Sequence, residues 1–313
     1  MQATWRLIGT AGFSPGYVFL RGTSFAIAPD GTEYVAHGGT VQKYFSPDGL
    51  NRKWTVVGTN TMSADNGGVM SLAFDSTGTP IVAYSDGNAG REATVRKLVG
   101  GTWTLVGNAG FSTGSVVDPS LAIDLKTGTL YVAYIDNANG NKASVQSFFL
   151  NGGTNWGFVG APGFSLQPAD YISLALDSAG TPYVACSDGT GRKATVRKLV
   201  GGTWTVVGNA GFSAGPAVYT SLALDSTGTP WVAYFDESIG GKATVQKLVS
   251  ASGGWTVVGN AGFSAGQAYY TSLALDSTGT PFVAYRDEAD NGAATVEAYA
   301  RPCETFARAR ERG

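Results

Sequence analysis

The sequence predicts an all-β protein: a six-bladed β-propeller of four-stranded antiparallel blades, its ring closed by the N-terminal strand pairing with the last blade. Three observations lead there: a unit recurring six times, a tryptophan that marks each unit, and partial units at the two chain ends that add to one whole. The tryptophans are Trp5, Trp54, Trp103, Trp156, Trp204 and Trp255, at intervals of 49, 49, 53, 48 and 51 residues. That period suits four short strands per unit and not a one-strand solenoid coil. A turn aspartate recurs in step at Asp75, Asp124, Asp177, Asp225 and Asp276; unit 1 has Ala28 there, with Asp30 two residues later.

Within the fifth unit the elements read in order. The first strand is Thr220 to Leu224, the second Trp231 to Phe235, the third Ala243 to Val249 and the fourth Trp255 to Val258, each rich in β-branched or aromatic residues. The link Asp225-Ser-Thr-Gly-Thr-Pro230 has turn chemistry: aspartate can bind its own backbone two residues on, glycine accepts positive φ and proline stops the ladder. The second strand carries an unbroken Val-Ala-Tyr run, as expected of a strand covered on both faces by neighbouring blades. The chain starts with a lone fourth strand at Trp5 and finishes with three strands ending near Tyr299. Closure would pair residues 5–9 with residues 294–299 and remove an edge open to aggregation. The propeller is expected over residues 1–300, with residues 301–313 as a mildly basic tail.

Composition narrows the function classes. Charged residues make up 14% of the chain, against about 25% in a typical soluble domain. The 45 glycines suit many tight turns. A formal net charge of -2 offers no field for phosphate backbones or anionic lipid, so nucleic-acid binding is not expected. No run approaches 18 consecutive apolar residues, so membrane insertion by a helix is not expected either. The first residues run straight into repeat sequence without a secretory apolar stretch; the expectation is a chain not exported by that route, or one given without its leader. Cys186 and Cys303 make neither a disulfide framework nor a zinc spacing.

The run Phe25-Ala-Ile-Ala-Pro-Asp30-Gly31-Thr-Glu-Tyr-Val35-Ala-His37-Gly-Gly-Thr-Val41-Gln-Lys43-Tyr-Phe45 resembles an NHL-type propeller repeat. The resemblance extends over nearly the whole chain as six repeats and implies the propeller fold. Because NHL-type propellers include protein-binding, RNA-binding and enzymatic members, it implies no single function.

Aligning the repeats tests each candidate for chemistry. His37, the only histidine, falls where the other units carry Tyr84, Tyr134, Cys186, Tyr234 and Tyr285, which points to a structural side chain. One histidine cannot build a His cluster for a metal or a proton relay. Gly-x-Ser-x-Gly occurs at Gly12, Gly110, Gly211 and Gly262, but a nucleophile elbow needs a strand before it, a helix after it and a histidine partner. These copies read as repeated turn chemistry. Asp86, Asp136, Asp188, Asp236 and Asp287 follow the second strand, either as openers of a turn or as a ring of acceptors for a cation. The segment Asp136-Asn-Ala-Asn-Gly140-Asn lacks the later bidentate Glu of a calcium loop. Arg91, Lys142, Arg192 and Lys242, just before the third strand, are expected to be solvated or paired with turn carboxylates.

Differences between units locate the candidate site. Two residues ahead of the first-strand serine or its equivalent stand Val69, Asp118, Tyr171, Tyr219 and Tyr270 in units 2 to 6, and Gly22 in unit 1. With the first strand innermost, these side chains should gather at the mouth of the central channel. Asp118, Tyr171, Tyr219 and Tyr270 could stack on a sugar ring or a peptide side chain and accept its hydrogen bonds. Alternatively they pack on each other as an apolar lid, helped by Phe111, Phe164, Phe212 and Phe263. The sequence reading is therefore a binding or scaffolding propeller that does no catalysis, uses no cofactor or metal, and takes a protein or glycan ligand. A glycan-binding lectin is its alternative, and an enzyme stands third, since it would need a pair of carboxylates in the channel.

Overall fold

The computed structural model describes residues 24–45, 53–59, 62, 69–188, 190–250 and 254–299. The first blade is β1 (Ser24–Ile27), β2 (Glu33–His37), β3 (Thr40–Phe45) and β4 (Lys53–Val56). The second is β5 (Met70–Phe74), β6 (Pro80–Asp86), β7 (Glu92–Val99) and β8 (Thr102–Leu105). The third is β9 (Val116–Asp124), β10 (Thr129–Asp136), β11 (Lys142–Phe149) and β12 (Gly157–Phe158). The fourth is β13 (Asp170–Leu176), β14 (Pro182–Asp188), β15 (Lys193–Val200) and β16 (Thr203–Val206). The fifth is β17 (Ala217–Leu224), β18 (Pro230–Asp236), β19 (Lys242–Ser250) and β20 (Gly254–Val257), and the sixth shows β21 (Ala268–Leu275), β22 (Pro281–Asp287) and β23 (Ala293–Ala298).

Each blade is an antiparallel meander in sequence order. First strands of successive blades lie against one another, so they form the inner wall and the fourth strands the outer edge. This is the six-bladed all-β propeller the repeat predicts. The pairing of residues 5–9 with the last blade lies outside the described residues, as do Gly22, Cys303 and the tail.

Among the described residues no blade has a core of its own. The five apolar clusters each draw on two consecutive blades; one joins Ile81, Ala83 and Val95 of the second to Leu121, Val132 and Tyr134 of the third. Second strands such as Pro182–Asp188 and Pro230–Asp236 are buried at every residue, which explains their continuous apolar runs. Ala83, Ala133, Ala185 and Ala233 let the sheets approach closely at the strand centre.

Tryptophan fastens blade to blade. The indole Nε1–H of Trp103, Trp156, Trp204 and Trp255 donates to the carbonyl of Val57, Val106, Val159 and Val207 in the preceding blade, at 2.9, 2.8, 2.7 and 3.2 Å. The next residue is always a glycine with positive φ, and at Gly208 an added Cβ would stand 2.7 Å from the Trp255 nitrogen. Phe111, Phe164 and Phe212 stack on Trp156, Trp204 and Trp255 at 4.0, 4.4 and 3.9 Å between centroids. These phenylalanines serve the junctions; the expectation that they support a lid of tyrosines is corrected.

Candidate functional site: the mouth of the central channel

The site is built by one local irregularity repeated around the ring. In β9, β13, β17 and β21 two residues stand opposite one: Asp118 and Pro119 face Tyr134, Tyr171 and Ile172 face Cys186, Tyr219 and Thr220 face Tyr234, and Tyr270 and Thr271 face Tyr285. The extra residue is a β-bulge, which bends the strand and re-aims a side chain. Its first member is left-handed each time, with φ of 50° at Asp118, 54° at Tyr171 and Tyr219 and 57° at Tyr270. A non-glycine residue there costs about 1–2 kcal/mol, so four such residues need support from their surroundings.

The support is a chain of hydrogen bonds around the axis. The Thr220 hydroxyl donates to the Tyr171 carbonyl and the Thr271 hydroxyl to the Tyr219 carbonyl, joining the bulge of the fourth blade to that of the fifth and the fifth to the sixth. One step along the strand, the Oγ atoms of Ser24, Ser71, Ser120, Ser173 and Ser221 accept the backbone N–H of Leu72, Leu121, Leu174, Leu222 and Leu273 in the following blade, at 2.9–3.0 Å.

Val69, Asp118, Tyr171, Tyr219 and Tyr270 line one cavity of about 250 Å³, so the five positions singled out in units 2 to 6 do converge. The rings form an arc, with centroids 4.9 Å apart between Tyr171 and Tyr219 and 4.5 Å apart between Tyr219 and Tyr270. They pack on one another, as the lid alternative expects, and also face the cavity. Asp118 is the one carboxylate among the described residues of the lining. Sequence reasoning missed the hydroxyls that share the wall, at Ser24, Ser71, Ser120, Thr220, Thr271 and Ser272. The serine repeats in all six units and was itself the available signal.

Other candidates resolve into structure. Asp86, Asp136, Asp236 and Asp287 cap single-turn 3₁₀ helices, accepting the N–H two residues on at 2.9–3.1 Å, and all are nearly fully buried. Buried Asp188 instead pairs with Arg197 at 2.6 Å and accepts the Leu166 N–H. These carboxylates serve turns and links and do not converge on a ring of acceptors. Ser112, Ser165, Ser213 and Ser264 of the Gly-Phe-Ser segments are buried staples, each accepting an N–H from Ala93, Ala143, Ala194 or Ala243 and donating to a carbonyl two residues on. His37 Nε2 lies 2.8 Å from Gln42 Oε1 inside the first blade. Burial pushes the Cys186 thiol well above its ordinary range and leaves it a small apolar filler. Arg192 reaches Asp170 at 3.3 Å on the surface.

No protein-family model matches the chain, and no curated protein matches it; the NHL-type resemblance gains no support. Solved structures do match in fold. A variant of the Aleuria aurantia lectin in complex with Fucalpha1-6GlcNAc aligns with a TM-score of 0.59 at 10% identity, over 92% of this chain and 94% of the lectin. The GH93 alpha-L-arabinofuranosidase of Fusarium graminearum with arabinobiose aligns with a TM-score of 0.58 at 15% identity, over 93% and 94%. The alpha-L-arabinanase of Penicillium chrysogenum with arabinobiose aligns with a TM-score of 0.55 at 15% identity, over 93% and 95%. At these identities the likeness is one of fold. It corrects the expectation of a protein that is no enzyme, because the same architecture carries two enzymes of arabinose-containing saccharides.

Proposed function

We propose that this chain is a glycan-binding propeller, with Asp118, Tyr171, Tyr219 and Tyr270 holding a sugar at the channel mouth. The observation that carries the reading is the convergence of four left-handed bulge residues, three aromatic and one acidic, on a single cavity. Tyrosine offers a flat face to the C–H side of a pyranose, and Asp118 with the wall hydroxyls can receive and supply hydrogen bonds to its hydroxyl groups. The saccharide-bound propellers among the structural neighbours favour a glycan over a broad protein footprint.

A glycan array probed with the purified protein tests this, alongside a variant with Tyr171, Tyr219 and Tyr270 all changed to Ala. Specific binding that disappears in the variant, with its far-UV spectrum unchanged, supports the reading. Binding that survives places the sugar elsewhere, and indifference to every glycan sinks it. Bound sugars are also followed for released reducing ends, whose appearance would turn the reading towards hydrolysis.

A further inference from the structure

The arc of tyrosines does not stop at the cavity wall. Tyr269, next to the bulge residue Tyr270, is outside the lining of the mouth cavity, yet its ring centroid lies 6.2 Å from that of Tyr270 and 6.1 Å from that of Tyr219. Tyr171, Tyr219, Tyr270 and Tyr269 thus make one strip, longer than a single sugar ring, that leaves the mouth over the sixth blade. The place just before the bulge holds Val117, Asp170 and Val218 in the third, fourth and fifth blades, so among these four blades the sixth alone carries an aromatic there.

The outer ring of the strip is held on several sides. Phe235, buried at the end of β18, backs both Tyr219 and Tyr269, at 6.1 and 5.0 Å between centroids. The Arg286 guanidinium lies 5.7 Å from the Tyr269 centroid and meets the Glu288 carboxylate at 2.8 Å, with just over a third of each side chain open to solvent. The Tyr269 hydroxyl donates to Gln267 Oε1 at 3.0 Å. Two glycines make room for this arrangement. Just before the third strand a residue with positive φ is Arg91, Asn141 or Arg192 in the second to fourth blades, and Gly241 or Gly292 in the fifth and sixth. A Cβ at Gly241 would run into the Phe235 ring, and one at Gly292 would stand 2.8 Å from Arg286 Nε.

We propose that Tyr269, Arg286 and Glu288 form a second sugar subsite, so that the chain takes an oligosaccharide with one residue in the mouth cavity and the next on Tyr269. The inference rests on the glycan reading of the mouth. The Tyr269 ring supplies a stacking face, the guanidinium donates to sugar hydroxyls and the carboxylate accepts from them. Arg286 and Glu288 are paired and together carry no net charge, which fits a neutral sugar. Because Phe235, Gln267 and Arg286 already hold Tyr269, little side-chain freedom is lost when a ligand arrives. The bound saccharide runs from the channel axis outward over the sixth blade.

The test compares the parent chain with Tyr269→Ala, Tyr269→Phe and Arg286→Ala on an array of glucose, galactose, mannose, fucose, arabinose and N-acetylglucosamine, each printed alone and as its di- and trisaccharides. For the sugar bound best, the disaccharide should bind the parent about tenfold more tightly than the monosaccharide, a gain within reach of one stacked ring. Tyr269→Ala should bring that ratio close to one, and Tyr269→Phe, which keeps the ring, should preserve most of it. Arg286→Ala should lower the ratio as well, and it carries the test if far-UV spectra show that Tyr269→Ala does not fold. Equal binding of mono- and disaccharide by the parent, or a ratio that the folded variants leave unchanged, overturns the second subsite and leaves the reading of the mouth intact. Binding of no sugar at all overturns both.

Discussion

Asp75 shows how the repeated turn is held. Its Oδ1 accepts the N–H of Thr77 and Thr79 at 2.9 and 3.0 Å and the Thr77 hydroxyl at 2.6 Å, while its Oδ2 meets Lys97 at 2.7 Å. Burial alone would raise its pKa; the Lys97 and Thr77 side chains and the backbone N–H groups outweigh burial and bring it from 3.8 down to about 2. A carboxyl depressed on folding stabilises the native state above its unfolded value, and that contribution is lost as the pH falls through the folded one. Asp30, Asp124, Asp225 and Asp276 are shifted the same way by equivalent turn bonds. Urea unfolding followed from pH 5 to pH 2 is therefore expected to show a smaller stability loss in Asp75→Asn than in the parent chain. Equal slopes would mean that this turn does not take part in acid unfolding.

At the scale of the element, the bulge of the inner strand separates backbone demand from side-chain identity. At an ordinary strand position glycine is worse than alanine by roughly 0.5–1 kcal/mol. Tyr171 has a φ of 54°, so the order should invert: Tyr171→Gly should retain more stability than Tyr171→Ala, by about 1 kcal/mol in denaturant titration. The usual order at this position would mean that the bulge relaxes once the ring is gone. The strands were legible in sequence because runs of β-branched and aromatic residues, turn residues and the repeat reinforced one another. The reading of Thr220 to Leu224, for example, is the latter part of Ala217–Leu224. The bulge was not legible, since its left-handed residue is tyrosine or aspartate and no glycine marks it. Its occupants were found only by comparing units. The role of Phe111, Phe164 and Phe212 was misread for a related reason: proximity along the chain to the tyrosines said nothing of the tryptophan that each one meets from the next blade.

The whole molecule is a set of shared interfaces. Among the described residues every apolar cluster spans two blades, so a blade that unfolds strips apolar contacts from the blades it shares a cluster with. Urea unfolding is accordingly expected as one transition, coincident by tryptophan fluorescence and far-UV circular dichroism, because the junction indoles and the strands are lost together. Two separated transitions would show that groups of blades fold as units. The architecture was legible as a whole because the period, and not any single residue, encodes it. What the propeller acts upon was not legible, as the same ring of strands serves a lectin and two arabinose-directed enzymes alike.

The hydroxyl-to-carbonyl links between bulges give the channel mouth a further property. They engage the main chain of Tyr171 and Tyr219 and leave the rings out of the framework. Valine, aspartate and tyrosine already occupy the equivalent place in different blades. The fourth and fifth blades thus offer a standard mounting point whose fitting is interchangeable, and exchanging these side chains one at a time changes the lining of the channel mouth while its frame stays as it is.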